Sequence, residues 1–139
     1  MSKGLPPFPS HSLVFFALTM HATHRSSRLD INVAVVYQPQ VAVEYFSTNP
    51  HMGFALNTYK NQQDVIQAIL GIPFISGETD IGAALNYLRT TMYLPQNGGR
   101  TNSLHMAIFI SDAVPTVNMA DVMPAGIAAK IAGIDVSCA

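Results

Sequence analysis

The run Leu104-His105-Met106-Ala107-Ile108-Phe109-Ile110-Ser111-Asp112 constrains what this chain can fold into more than any other stretch. Its apolar residues are nearly continuous rather than alternating. That is the pattern of a strand buried on both faces, and such strands belong to open α/β sheets with helices above and below. The run ends by delivering one carboxylate, Asp112, at its carboxyl end. In open α/β sheets the crevice outside the carboxyl ends of the strands is where ligands bind. Asp112 therefore has two readings: a ligand-site carboxylate, or a cap for the turn that Ala113-Val114-Pro115 begins.

The elements around it follow from periodicity and punctuation. Residues 1–12 are rich in Pro, Ser and Gly and read as an unstructured lead; residues 13–139 read as one domain. Residues 13–20 form a short apolar run with two readings. One is a buried strand. The other is the apolar core of a secretory signal, with Lys3 before it and Met20-His21-Ala22 as the cleavage site. A single lysine and a long Pro-rich lead make a poor signal, which favours the strand. His21 and His24 have no third ligand type nearby and read as solvated loop histidines. Residues 31–37 and 41–46 both alternate, with Gln38-Pro39-Gln40 between them, which predicts an antiparallel hairpin.

Further along, Asn61 or Thr58 caps a helix through Ile69 that Gly71 stops. Ser76-Gly77-Glu78-Thr79-Asp80 is a tight polar loop. Ile81 then opens a helix with Leu85, Leu88 and Met92 on one face, and Gly82, Ala83 and Ala84 permit close packing. Residues 95–102 form a turn-rich loop. After the central strand, Asp121 is the predicted cap of a helix running to about Ala132, with Pro124 in its first turn. Gly133 ends that helix and Ile134 begins a strand. Strand, helix and strand with short links imply a parallel βαβ unit.

Composition removes several classes of function. Charged residues make up 11% of the 139, against about 25% in ordinary soluble domains, which suits a well-buried core. The formal net charge is −1 with no basic block, which argues against nucleic acid or an anionic membrane as partner. No apolar run approaches the ~18 residues that span a bilayer. Cys138 is the sole cysteine. A nucleotide-binding enzyme lacks its usual marks here: no Gly-x-Gly-x-x-Gly follows a strand, no Gly-Lys-Ser/Thr loop occurs, and Gly98-Gly99-Arg100 precedes a strand rather than following one. No serine elbow or Cys/His pair stands out. Glu78, Asp80 and Asp112 read as acid/base carboxylates or, more simply, as solvated and capping groups.

Two motifs carry a family resemblance. Gly77-Glu78-Thr79-Asp80-Ile81-Gly82-Ala83-Ala84-Leu85-Asn86-Tyr87-Leu88 resembles the second metal-site loop and following helix of a von Willebrand factor type A domain. Ala107-Ile108-Phe109-Ile110-Ser111-Asp112 resembles its fourth strand and third metal-site loop. Residues 127–136 resemble the helix and strand that follow, and Leu56-Asn57-Thr58-Tyr59 the segment after the third strand. The likeness covers about residues 29–137, in the style of extracellular-matrix members such as type VI collagen chains and matrilins.

The resemblance implies an open, mainly parallel sheet with helices on both faces and one antiparallel edge strand, a Rossmann-like fold that is incomplete here. It implies a metal-ion-dependent adhesion site at the carboxyl ends of the strands, holding Mg²⁺ through oxygen ligands. Thr79 and Asp112 match two of the family's metal-site positions, and Gly77, Glu78, Asp80 and Ala113 lie where a partner would dock. The family's Asp-x-Ser-x-Ser occurs nowhere in this chain, so the site is degenerate and Mg²⁺ binding weak or lost. The first helix, sixth strand and last helix of the family are also missing. The function implied is protein binding and adhesion in the extracellular matrix, with collagens among the partners and no catalysis. The alternatives are a truncated, inactive fragment and, behind it, an α/β-sheet enzyme.

Overall fold

A computed structural model of the protein describes residues 13–25, 34–73, 75–110 and 114–138, with side chains from Pro39 onward. The lead at residues 1–12, and Asp112 and Ala113 with Ser111, lie outside the described residues. Five strands form one sheet: β1 (Leu13–Arg25), β2 (Ala34–Phe46), β3 (Pro50–Phe54), β4 (Leu104–Ile110) and β5 (Ile134–Cys138), in the order β3-β2-β1-β4-β5. Three α-helices among the described residues accompany them: α1 (Gln62–Leu70), α2 (Ile81–Tyr87) and α3 (Met119–Ile131). A π-helical turn (Leu88–Met92) prolongs α2, and a short 3₁₀ turn (Pro95–Asn97) follows it.

Residues 13–20 take the strand reading, within β1. This strand runs on to Arg25, so His21 and His24 lie on a strand and not in the loop expected for them. β1 occupies the middle of the sheet and is antiparallel to both β2 and β4. The parallel crossover expected in the second half is present: β4 and β5 pair in parallel, joined through α3. β3 is the antiparallel edge. The α/β architecture is thus the expected one, but β1 gives it more antiparallel pairing than the resemblance implies. The physical reason is the short link, residues 26–33. A parallel crossover takes a dozen or more residues, whereas antiparallel neighbours can be joined by a few.

The expected hairpin around Gln38-Pro39-Gln40 does not form. β2 runs unbroken through these residues, with Pro39 opposite Met20 of β1. β3 pairs with β2 only from Val43 to Phe46, so Pro39 sits where β2 is an edge strand. Proline removes a donor, and a sheet edge is where that loss is tolerated.

The pleat divides the core. Ala17 pairs with both Ala42 and Ala107, which puts Ala42, Glu44 and Phe46 on the same face as His105, Ala107 and Phe109. On this face Ala42, Leu56, Leu88, Met92, Ala107, Ala129 and Ile134 form one buried cluster, and Phe46, Ile81, Ala84, Leu85 and Ala125 form a second beneath α2 and α3. Gly82 permits the close approach of the two helices, since a Cβ there would lie 2.9 Å from Asp121 Cβ. On the other face α1 lays Val65, Ala68 and Ile69 over Val41, Val43 and Tyr45. β4 has no such cover there: Leu104, Ile108 and Ile110 are exposed, so the central strand is not buried on both faces as its composition predicts. Continuous apolarity records what a strand tolerates, and this half of the second face has no helix among the described residues.

Helix starts follow the sequence with one exception. Asn61 caps α1, its Oδ1 accepting from the Asp64 N–H at 2.9 Å, and Gly71 ends the helix. Asp80 caps α2. α3 begins earlier than predicted: Asn118 is the cap residue, in the left-handed region at φ 50°, and Asp121 lies in the first turn. Asparagine is among the few non-glycine residues that adopt this conformation readily. Asp121 suits a first turn because the helix dipole favours negative charge there. Pro124 consequently falls inside the helix, on its exposed side, where water can reach the carbonyl it leaves without a partner.

Candidate functional site

Three polar segments meet beyond the carboxyl ends of β2 and β4: Ser47 and Thr48 after β2, residues 77–80 before α2, and residues 114–118 before α3. Their contacts are local necessities of the backbone. The Asp80 N–H donates to the Ser47 carbonyl at 3.0 Å. The Glu78 N–H donates to Thr48 Oγ1 at 3.0 Å. The Thr79 N–H donates to Thr116 Oγ1 at 2.8 Å, and the Thr116 N–H returns a bond to the Thr79 carbonyl at 3.1 Å. The Thr116 hydroxyl in turn donates to Glu78 Oε2 at 2.5 Å.

Gly77 makes the turn possible. Its φ of +144° is one that side chains rarely adopt, and a Cβ would stand 2.7 Å from Thr48 Oγ1. Gly77 and Glu78 are exposed and Thr79 is half-buried.

Asp80 is buried, and both carboxylate oxygens are engaged: Oδ1 accepts from the Ala83 N–H at 2.8 Å and Oδ2 from Asn118 Nδ2 at 2.6 Å. Asp80 was expected among the partner-binding positions; its carboxylate instead points at two helix starts. Its carboxylate is drawn inward by the orphan N–H groups at the start of α2 and by the cap residue of α3, so it ties two helix starts together. The sequence does mark Asp80 as a capping group. It gives no sign of Ser47, Thr48, Thr116 or Asn118, which reach the loop from about thirty to forty positions away and belong to no local motif.

The arrangement can be tested as a cation cradle. Mg²⁺ takes six oxygens in near-octahedral array and holds protein carboxylates among them. Among the described residues no cluster of three or more His, Cys, Asp or Glu side chains exists. Asp80 is committed to its two donors, and one oxygen of Glu78 accepts from Thr116. Asp112, the second expected ligand, lies outside the described residues. Thr79 is nonetheless bonded directly to the segment that follows Asp112.

The model of the von Willebrand factor type A domain matches residues 26–139. The chain belongs to this family. Curated relatives agree. The collagen alpha-1(XII) chain of Notophthalmus viridescens is 30% identical over 73 residues, 52% of this chain and 8% of that one. The collagen alpha-4(VI) chain of Mus musculus is 35% identical over 81 residues, 58% of this chain and 4% of that one. Vitrin of Mus musculus is 31% identical over 84 residues, 60% and 13% of the two chains. The A domain described here thus spans a small part of the length of these relatives. Among solved structures, proximal thread matrix protein 1 from the mussel byssus shares the fold, with a TM-score of 0.63 and 24% identity over 67% of this chain and 24% of that one. A second structure of that protein has zinc in its metal-ion-dependent adhesion motif. These likenesses establish an extracellular-matrix type of A domain in an α/β fold.

Proposed function

We propose that this A domain is a protein-binding module of the extracellular matrix, that it adheres to matrix proteins such as collagens, and that it performs no catalysis. The observation that carries the reading is the loop cluster at the carboxyl end of the sheet. It presents Gly77, Glu78 and Thr79 on a frame braced by Thr116, Asp80 and Asn118. A braced frame presents its surface without having to order it on binding, which lowers the cost of association. Its polar groups are hydroxyls, backbone amides and two carboxylates, Asp80 capping α2 and Glu78 accepting from Thr116. The location outside the cell follows from the matrix relatives. No helix among the described residues is long and apolar enough to cross a membrane.

The adhesion site is degenerate in this reading. Thr79 and Asp112 are what remains of the family's metal ligands, and one hydroxyl with one carboxylate holds Mg²⁺ only weakly in water. The test has two arms. Collagen-coated surfaces are titrated with the purified chain in Mg²⁺ and in EDTA, and thermal unfolding is followed with millimolar Mg²⁺ or Mn²⁺. Binding that EDTA leaves unchanged and that Glu78→Ala weakens supports the reading, as does a melting temperature that the metals barely move. A rise of several degrees that Asp112→Ala abolishes would show a competent metal site and overturn the degenerate one.

A further inference from the structure

The outward side of α3 is apolar where a surface helix should be polar. Met119, Met123, Ile127 and Ile131 recur at every fourth position, so they form one stripe, and they are 63%, 73%, 55% and 82% exposed. The inward side is built of Ala125 and Ala129. The only charged residues in the helix are Asp121 and Lys130. A helix that is apolar all round is ordinarily covered all round. Beside the stripe runs an open groove of about 530 Å³ lined by Pro115, Met119, Val122, Met123, Gly126 and Ile127. A Cβ placed on Gly126 would meet nothing within 4 Å, so the backbone is bare there and another helix can come close.

We propose that this face is the interface of a homodimer, in which α3 of one copy packs antiparallel on α3 of a second copy across a two-fold axis near Gly126. Area is the first argument. The four stripe residues present on the order of 500 Å² of largely apolar surface, so two copies reach about the 1,000 Å² that a specific interface should clear. One copy's stripe is also near the upper end of what a monomer normally leaves in water.

Symmetry is the second argument. In an antiparallel pair whose axis passes at the level of Ala125, next to Gly126, Met123 lies over Ile127 of the second copy and Met119 over its Ile131. Each contact then occurs twice and matches side chains of similar volume, as a two-fold interface requires. Charge is the third. Asp121 packs against Gly82 of α2, and Lys130 stands near one end of the helix, so the two ammonium groups of a pair lie at opposite ends of the interface. A charged partner would find nothing on this face to pair with, whereas an identical copy buries no unmatched charge.

The experiment is sedimentation velocity on the full chain over a micromolar concentration series, with far-UV circular dichroism as the control for folding. The native chain is expected to dimerise. Met123→Glu places a carboxylate against apolar Ile127 of the second copy and weakens the dimer by about 100-fold or more, while these exposed positions leave the circular dichroism unchanged. Adding Ile127→Lys to Met123→Glu restores the dimer, because each carboxylate then meets an ammonium across the axis. Ile110→Glu, on the uncovered face of β4, leaves it intact. A native chain that stays monomeric overturns the proposal. So does an assembly that Met123→Glu does not dissociate, or one that Ile110→Glu dissociates instead.

Discussion

Thr79 and Thr116 hold each other by two hydrogen bonds, the Thr79 N–H to Thr116 Oγ1 at 2.8 Å and the Thr116 N–H to the Thr79 carbonyl at 3.1 Å. The pair joins the loop before α2 to the segment before α3, and through Thr116 Oγ1 it also reaches Glu78. One hydroxyl thus accepts from a backbone group and donates to a carboxylate. Thr116→Val keeps the shape and removes both bonds. The expected loss is about 1–2 kcal/mol, since water can replace part of what is lost at this partly exposed site. Urea unfolding gives the loss, and hydrogen exchange at the Thr79 amide should quicken by more than at the Ala83 amide.

Asp80 carries a larger share. Its carboxylate satisfies one orphan N–H of α2 and receives the Asn118 amide. Asp80→Ala removes a helix cap, worth about 1 kcal/mol, and strands the Asn118 side chain as well. A loss of about 2–3 kcal/mol is expected by chemical denaturation. Asp80→Asn keeps an acceptor for the Ala83 N–H and should recover more than half of it. If Asp80→Ala weakens collagen binding without lowering stability, the residue faces the partner after all and its role as a brace is refuted.

Gly77→Ala tests the turn. The backbone conformation itself disfavours a side chain, and the new Cβ meets Thr48 Oγ1. About 1–3 kcal/mol of destabilisation is expected from the strained conformation, with a further part from the clash. In the background of Thr48→Ala the closest contact, with Thr48 Oγ1, is relieved, but the strain is not. The double variant should therefore lose less on introducing the alanine than the native chain does, and a thermal melt series measures the difference.

Much of this was legible in the sequence because it is local. Asn61, Asp80 and Gly71 each act within a few residues of the helix end that they define, and the apolar run of β4 declares a strand from its own composition. Thr79 could be singled out because its loop and the helix after it resemble one family motif. Pro39 misleads because a breaker is judged by its neighbours in sequence, whereas its tolerance depends on β3 stopping short along β2. The exposure of Ile108 and Ile110 misleads in the opposite direction: the run shows that these residues can be buried, and only tertiary packing decides whether anything covers them. Thr116, Asn118 and Thr48 were invisible because side chains that brace a loop from distant segments leave no period and no spacing to read.

Glu44 was legible only as one member of an alternating strand, and it gives the sharpest pH prediction. Its side chain lies on the core face between Ala42 and Phe46 and is fully buried. Among the described residues neither carboxyl oxygen has a hydrogen-bond partner. Burial pushes its pKa up from 4.5 to about 9, and when ionised it adds to the burial that raises the Tyr87 phenol. The folded chain therefore holds the Glu44 proton more tightly than the unfolded chain does. Below pH 4.5 both states carry the proton and Glu44 imposes no ionisation penalty. As the pH rises above 4.5 the unfolded state ionises first, and stability falls by at most about 1.4 kcal/mol per pH unit until the folded pKa near 9 is passed. Stability measured by urea unfolding should thus decline from acidic to alkaline buffer. Glu44→Leu removes the titrating group and an unpartnered polar one, so at neutral pH it should be more stable than the native chain, and its slope over this window should flatten. Glu44→Gln flattens the slope too but retains the cost of a buried polar group. A native slope that neither substitution changes would mean that the Glu44 carboxyl is ionised and partnered in the folded chain.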